Sequence, residues 1–128
     1  MKFLFDTHVA IWVLFDDPCL SLAAREILND PGNQFLFSVC NIWEIAIKRG
    51  LNSPGFQHDP REIRQYLLRN GSEELTIQSS HVIEVGNLPP IHKDPFDRLL
   101  IAQAMVEGIT LLTADRTIAQ YPGPIRKV

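Results

Sequence analysis

The chain contains 128 residues, a length typical of one domain and sufficient to bury one hydrophobic core. Hydrophobic residues make up 45% of the sequence and charged residues 21%, a composition that excludes a disordered chain and a fibrous repeat. The 12 basic and 15 acidic residues give a net charge of −3, which excludes binding to nucleic acid or an anionic membrane through overall positive charge. A local site can still bind phosphates through metal ions.

The cysteines and the apolar stretches indicate where the protein works. Cys19 and Cys40 belong to no disulfide or C-x-x-C pattern, and we interpret both as small buried side chains in a reducing compartment. The N-terminus lacks an apolar run long enough for a signal peptide, and Val9–Phe15 is far too short to span a membrane. We therefore expect a cytoplasmic protein with no membrane contact.

Short apolar runs alternate with stretches of helical periodicity along the chain. The predicted strands are Lys2–Phe5, Gln34–Phe37, Glu74–Ile77 and Ile109–Leu112. The predicted helices are Thr7–Phe15, Ser21–Leu28, Ser38–Arg49, one from Asp59-Pro60 to near Asn70, and one from Asp94-Pro95 to Glu107. This alternation is typical of an α/β domain in which helices cover both faces of a mostly parallel sheet, and we assign residues 1–128 to one such domain.

The predicted helix starting at Ser38 has the clearest periodicity. Its apolar residues recur at helical spacing and the pattern stops before Gly50; they are Val39, Ile42, Trp43, Ala46 and Ile47. This stripe is predicted to face the core.

Four acidic residues stand where a parallel sheet would bring them together. Asp6 follows the first predicted strand and Asp115 follows the fourth, and ligands of parallel α/β proteins bind at that edge of the sheet. Asp97 lies in the first turn of a helix and Glu44 lies about two turns into another.

Each of these acids also has a purely structural interpretation. Asp6 can cap the helix at Thr7–Phe15, and Asp115 can cap a short helix at 116–120. Asp97 can complete a capping box with Asp94, and Glu44 can pair with Lys48 on a solvated helix face. These interpretations do not explain why four carboxylates converge, and converging carboxylates repel one another unless a cation compensates them.

The residue types favour a hard divalent cation. Oxygen-only ligands select Mg²⁺ or Mn²⁺ over zinc. The four histidines, His8, His58, His81 and His92, show no zinc-site spacing. Motifs of serine hydrolases, P-loop enzymes and dinucleotide-binding proteins are absent.

An ordered set of motifs carries a family resemblance over nearly the whole chain. The segments are Phe3–His8, Ile42–Lys48, His92–Ala104 and Leu112–Asp115. With them the chain resembles the PIN-domain ribonucleases, and within these the VapC-type toxins of type II toxin–antitoxin modules. The resemblance implies a three-layer α/β/α sandwich with a short-stranded sheet.

The resemblance also assigns site residues. It implies that Asp6, Glu44, Asp97 and Asp115 form the family's catalytic, metal-binding quartet, with Mg²⁺ or Mn²⁺ as the cofactor. The residues expected to support this quartet are Thr7, Asp94, Thr113, Arg98 and Arg116. Arg98, Arg116, Lys48 and Arg49 are candidates for phosphate contacts because they lie near the acids in the sequence, and ordinary surface charge is the alternative for all four.

The function implied is hydrolysis of RNA phosphodiester bonds by metal-activated water, with a cognate antitoxin as protein partner and a homodimer as the assembly. One alternative is a non-catalytic module that keeps the fold and binds proteins. Another is an aspartyl-phosphate enzyme or a receiver domain. The sequence disfavours this alternative because Asp6-Thr7-His8 lacks the D-x-D pattern and no Asp follows the third predicted strand.

Overall fold

Strands and helices alternate in the structure, a computed structural model that describes residues 1–128. The strands are β1 (Lys2–Phe5), β2 (Gln34–Ser38), β3 (Glu73–Leu75), β4 (Thr110–Thr113) and β5 (Ile125–Lys127). The helices are α1 (Thr7–Phe15), α2 (Leu22–Asn29), α3 (Val39–Gly50), α4 (Pro60–Arg69), α5 (Ser79–Val85) and α6 (Pro95–Glu107). A 3-10 turn, Ile118–Gln120, precedes β5.

The five strands form one parallel sheet in the order β3-β2-β1-β4-β5. Strand β1 lies at its centre, where Leu4 pairs in register with Leu111 of β4 and Phe5 with Leu112. Because the two strands run in the same direction and in this register, the residues after them emerge at the same edge. The expectation of an α/β fold with a mostly parallel sheet is confirmed.

Alternate residues of the strands point into two hydrophobic cores, one on each face of the sheet. Leu4 and Leu111 pack under α6 with Leu100 and Ile101. On the other face, residues of β1 and β4 pack against α1 and α4; this group contains Phe3, Phe5, Leu112, Val9, Ala10, Ile63 and Leu67. The helices therefore cover both faces, and the layered arrangement leaves the strand ends open for a site.

The side chains predicted to cap helices do so. The Ser21 hydroxyl accepts a hydrogen bond from the backbone N–H of Ala24, and Asp59 accepts one from that of Arg61. Helix α6 ends at Gly108, which adopts a left-handed conformation with φ of 66°. Glycine takes this conformation at little cost, so the helix ends where the sequence indicates.

Two predicted strands are displaced in the structure. The third is Glu73–Leu75 and not Glu74–Ile77, because its partner β2 ends at Ser38, opposite Leu75, and the chain then enters α3. The fourth is Thr110–Thr113 and not Ile109–Leu112. The sequence analysis also missed α5, a short helix in which Val82 and Ile83 are exposed and His81 is buried.

Two predictions about burial are wrong. On α3 the expected apolar stripe is partly exposed, with Trp43 47% and Ile47 45% accessible, whereas Asn41 and Glu44 are buried. Cys19 is exposed and only Cys40 is buried. No helix is long and apolar enough to cross a membrane.

Candidate metal centre

Asp6 is the one residue between β1 and α1, at the edge of the sheet where β1 ends. One carboxylate oxygen caps α1 by accepting from the N–H of Val9 at 3.2 Å. The other accepts from the hydroxyl of Thr113, at the end of β4, at 2.5 Å. The side chain is almost fully buried, and this desolvation raises the pKa of Asp6. Asp6 therefore caps α1 as predicted and also belongs to the acidic cluster.

Glu44 points inward from α3 and is only 2% exposed, so the solvated helix face considered for it is wrong. Its Oε1 accepts from the hydroxyl of Thr7 at 2.6 Å, and its Oε2 accepts from Lys48 Nζ at 2.5 Å. The Thr7 hydroxyl accepts in turn from the Asn41 amide at 2.9 Å. Thr7 and Asn41 therefore fix the orientation of this carboxylate, and the role of Asn41 was missed in the sequence.

Asp94 and Asp97 occupy the start of α6 but do different things. Asp94 caps the helix, with its Oδ1 accepting from the N–H groups of Phe96 at 2.8 Å and Asp97 at 3.2 Å. The backbone N–H of Asp94 donates to His92 Nδ1 at 3.0 Å and not to Asp97, so the predicted capping box is only half formed. The Asp97 carboxylate is thereby left free to face the other acids.

The surroundings of Asp97 oppose its ionisation. Desolvation is the main cause, and the neighbouring carboxylates add to it; together they raise the pKa of Asp97 to about 8. The contributing charges are those of Asp94, Glu44, Asp6 and Asp115, in that order. In the absence of a cation, the cluster therefore keeps a proton that an ordinary aspartate loses near pH 4.

Asp115 completes the cluster from the other end of the chain. Its Oδ1 accepts from the N–H of Thr117 at 2.7 Å and of Ile118 at 3.2 Å, which is the capping role predicted for it. Its Oδ2 lies 3.6 Å from His92 Nε2, which is also 3.1 Å from Asp97 Oδ2. His92 is a site residue that the sequence analysis missed. The sequence analysis passed over His92 because the histidines show no zinc-site spacing. Its position two residues before Asp94, at the start of α6, was the one feature that could have indicated a role in the site.

Two groups of three side chains bring their ligand atoms together within 4.8 Å. One trio is His92, Asp97 and Asp115, and the other is Glu44, Asp94 and Asp97, so Asp97 belongs to both. Asp6 and Asp115 line a groove of about 240 Å³ beside them, which Trp12 and His8 also border. The structure thus brings all four predicted acids to one edge of the sheet. The carboxylate oxygens fit a hard divalent cation. The imidazole of His92 departs from the oxygen-only donor set expected from the sequence, and it also suits softer divalent metals.

The predicted arginines do not join the acids. The Arg98 guanidinium donates to the carbonyls of Val85 at 3.1 Å and Pro89 at 3.0 Å and to the Tyr121 hydroxyl at 3.1 Å. Arg98 therefore holds the loop after α5 in place, and its guanidinium is not directed to the acidic cluster as a phosphate contact would be. Arg116 is exposed and has no ion-pair partner.

The sequence of residues 3–124 matches the family model of the PIN domain. The chain therefore belongs to the PIN domain family. No curated protein sequence matches the chain.

Similar solved structures include three complexes called VapBC. VapBC2 from Rickettsia felis, bound to a DNA fragment from its promoter, matches with a TM-score of 0.74 and 15% identity, over 100% of this chain and 99% of that one. DNA-bound VapBC from Salmonella typhimurium has a TM-score of 0.69 and 18% identity, over 99% and 98% of the chains. VapBC-1 from nontypeable Haemophilus influenzae has a TM-score of 0.64 and 17% identity, over 99% and 98%. At these identities the likeness shows a shared fold.

Proposed function

We propose that this protein is a metal-dependent endoribonuclease and the toxin of a toxin–antitoxin pair. The observation that carries the proposal is the carboxylate of Asp97, which is shared by two potential ligand trios and held where its ionisation needs a compensating cation. PIN domains are in general nucleases, which supports the nuclease activity, and the similar structures are VapBC complexes, which supports the role as a toxin.

The residues have separate parts in this proposal. Asp6, Asp97 and Asp115 would hold a divalent Mg²⁺ or Mn²⁺ ion. Asp97 and Asp115 share a trio with His92, Asp94 belongs with Asp97 to the other trio, and Asp6 lines the groove beside Asp115. Such an ion supplies Lewis-acid chemistry, because it acidifies a water and neutralises charge on the phosphate. Glu44 accepts from Thr7 with one oxygen and from Lys48 with the other, and the latter oxygen keeps a lone pair that would orient the attacking water. Thr113 fixes Asp6 in the same way from β4.

We expect cleavage of single-stranded RNA that requires Mg²⁺ or Mn²⁺ and leaves 5′-phosphate and 3′-hydroxyl ends. Excess EDTA should abolish the cleavage, and restoring Mg²⁺ or Mn²⁺ should recover it, because the carboxylates alone repel the phosphate. The measurement is gel analysis of a labelled RNA, with a DNA of the same sequence as a comparison. Cleavage that persists in EDTA would contradict the proposal. No cleavage under any condition would favour the non-catalytic binding module.

The structure does not support the alternative function of an aspartyl-phosphate enzyme or a receiver domain. β3 ends at Leu75 and the next three residues, Thr76–Gln78, include no acid. The acid after β1, Asp6, is followed by Thr7 and His8, so the D-x-D pattern of an aspartyl-phosphate enzyme is absent at this strand end.

We further propose that a small antitoxin inhibits this protein by placing an Arg or Lys in the acidic cluster. The planar fork of an arginine matches two carboxylate oxygens, and the cluster around Asp97 is buried enough to strengthen such a pair. Co-expression with the neighbouring open reading frame should yield a complex that purifies together and lacks RNase activity. The toxin assignment would be wrong if the two proteins separate and expression of this chain alone leaves growth unaffected. The nuclease assignment has its own test above.

A further inference from the structure

Lys48 places its ammonium inside the acidic cluster. It lies one helical turn after Glu44 on α3, and its Nζ is 2.5 Å from Glu44 Oε2 and 3.3 Å from Asp94 Oδ2. The side chain is 23% exposed, and Nζ lies 4.9 Å from the ring centre of Phe56 and 5.8 Å from that of Phe96. The aromatic faces attract the ammonium as well, so it is held from several sides.

Lys48 contacts two of the three members of the trio Glu44, Asp94 and Asp97, at Oε2 of Glu44 and Oδ2 of Asp94. Glu44 uses its other oxygen for the Thr7 hydroxyl, and Asp94 uses its other oxygen to cap α6. Lys48 therefore occupies the cation-binding side of two of the three ligands in this trio. The other trio consists of His92, Asp97 and Asp115, and no lysine or arginine forms an ion pair with its two carboxylates.

We propose that Lys48 is a built-in second cation, which fills the position between Glu44 and Asp94 so that the site holds one divalent ion and not two. An ammonium in this position repels an incoming divalent ion and competes for the same oxygens. The divalent ion then binds on the side of the other trio, His92, Asp97 and Asp115. This inference rests on the proposed function, in so far as the cluster must bind a divalent ion.

The proposal changes the role expected for Lys48. An ammonium already paired with two carboxylates has little charge left for an RNA phosphate, so Lys48 acts as a positioning residue for Glu44 and not as a phosphate contact. Arg49 is the adjacent cation on α3, exposed and 3.8 Å from Asp59, outside the cluster. It provides a matched control of the same charge.

The test counts bound ions without measuring RNA cleavage. Mn²⁺ is titrated into the metal-free protein, and free Mn²⁺ is followed by electron paramagnetic resonance. We expect one tight site per chain in the parent and in Arg49→Gln, and two in Lys48→Gln. Lys48→Met, which is neutral and similar in length, serves as a second variant, and Lys48→Arg should keep one site. Circular dichroism melting verifies that each variant folds.

The possible outcomes separate the two proposals. Two tight sites in the parent would overturn the role of Lys48 while leaving the metal-dependent nuclease intact. One site in the parent and still one in both folded neutral variants would also overturn it. No bound Mn²⁺ in the parent would overturn the proposed function and this inference together.

Discussion

Asp97→Asn is expected to reduce the rate of metal-dependent RNA cleavage by roughly 10²-fold or more, with the fold retained. Asp97 belongs to both ligand trios, so the substitution removes a charged ligand from whichever of them holds the ion. The backbone N–H of Asp97 donates to Asp94, and that capping bond does not involve the substituted side chain. Asp6→Asn and Asp115→Asn should have similar effects. Initial rates with saturating Mg²⁺, measured beside circular dichroism spectra, provide the comparison.

Helix α4 offers a control matched in position. It also begins with Asp-Pro, at Asp59 and Pro60, and Glu62 stands three residues after its cap as Asp97 does in α6. Glu62 is exposed and lies outside the cluster, so Glu62→Gln should leave the rate unchanged. If Asp97→Asn cleaved RNA at the parental rate, Asp97 would be no more than an acid favourable to the helix N-terminus.

The metal-free protein is expected to lose stability as the pH rises from about 4 to about 8. The pKa of Asp97 is about 8 in the folded chain and near 3.8 when the chain is unfolded. Between these values the folded state keeps a proton that the unfolded state has released, so the free energy of unfolding falls with pH. One such proton contributes at most about 1.4 kcal/mol per pH unit, and above pH 8 the contribution is constant. The raised pKa of Asp6 acts in the same direction.

Urea unfolding in EDTA at pH 5 and pH 8 measures this effect. The fall should be smaller in Asp97→Asn by up to a few kcal/mol, because the variant has no proton to lose at this position. At pH 8 the variant should be at least as stable as the parent, and Mg²⁺ should stabilise the parent more than the variant. An equal fall in both proteins would show that the charge of Asp97 is not opposed by its surroundings. A variant much less stable than the parent at pH 8 would make Asp97 a structural residue.

Much of the fold is predictable because its helix ends are encoded locally. Ser21, Asp59 and Asp94 each cap a helix as expected, and Gly108 ends α6. The central strand β1 and helix α1 have their predicted bounds. The convergence of Asp6 and Asp115 could be predicted as well, because each follows a strand of the parallel sheet and such strands end at one edge.

The features that the sequence did not reveal depend on contacts between distant residues. Helix α5 has no apolar stripe. It is positioned through buried His81, which lies 2.9 Å from Glu107 and 3.3 Å from Gln103, both on α6. On α3, hydrophobicity predicted a buried face that included Trp43, whereas the structure buries Glu44. Glu44 bonds Thr7 and Lys48, and Asn41 in turn donates to Thr7. The pair with Lys48 follows from the i, i+4 spacing, but the bonds through Thr7 link distant parts of the chain and are recognisable only in three dimensions.

The pairing of β1 with β4 has a consequence for the time at which the cluster appears during synthesis. Asp6 leaves the ribosome 107 residues before its partner Thr113, and the ligand Asp115 follows Thr113. Domains fold as units during synthesis, and β4 must insert beside β1 before these side chains can meet. A growing chain therefore carries no assembled acidic centre, and a fragment cut before β4 never acquires one. The sheet order thus delays assembly of the centre until β4 has been made and has paired with β1.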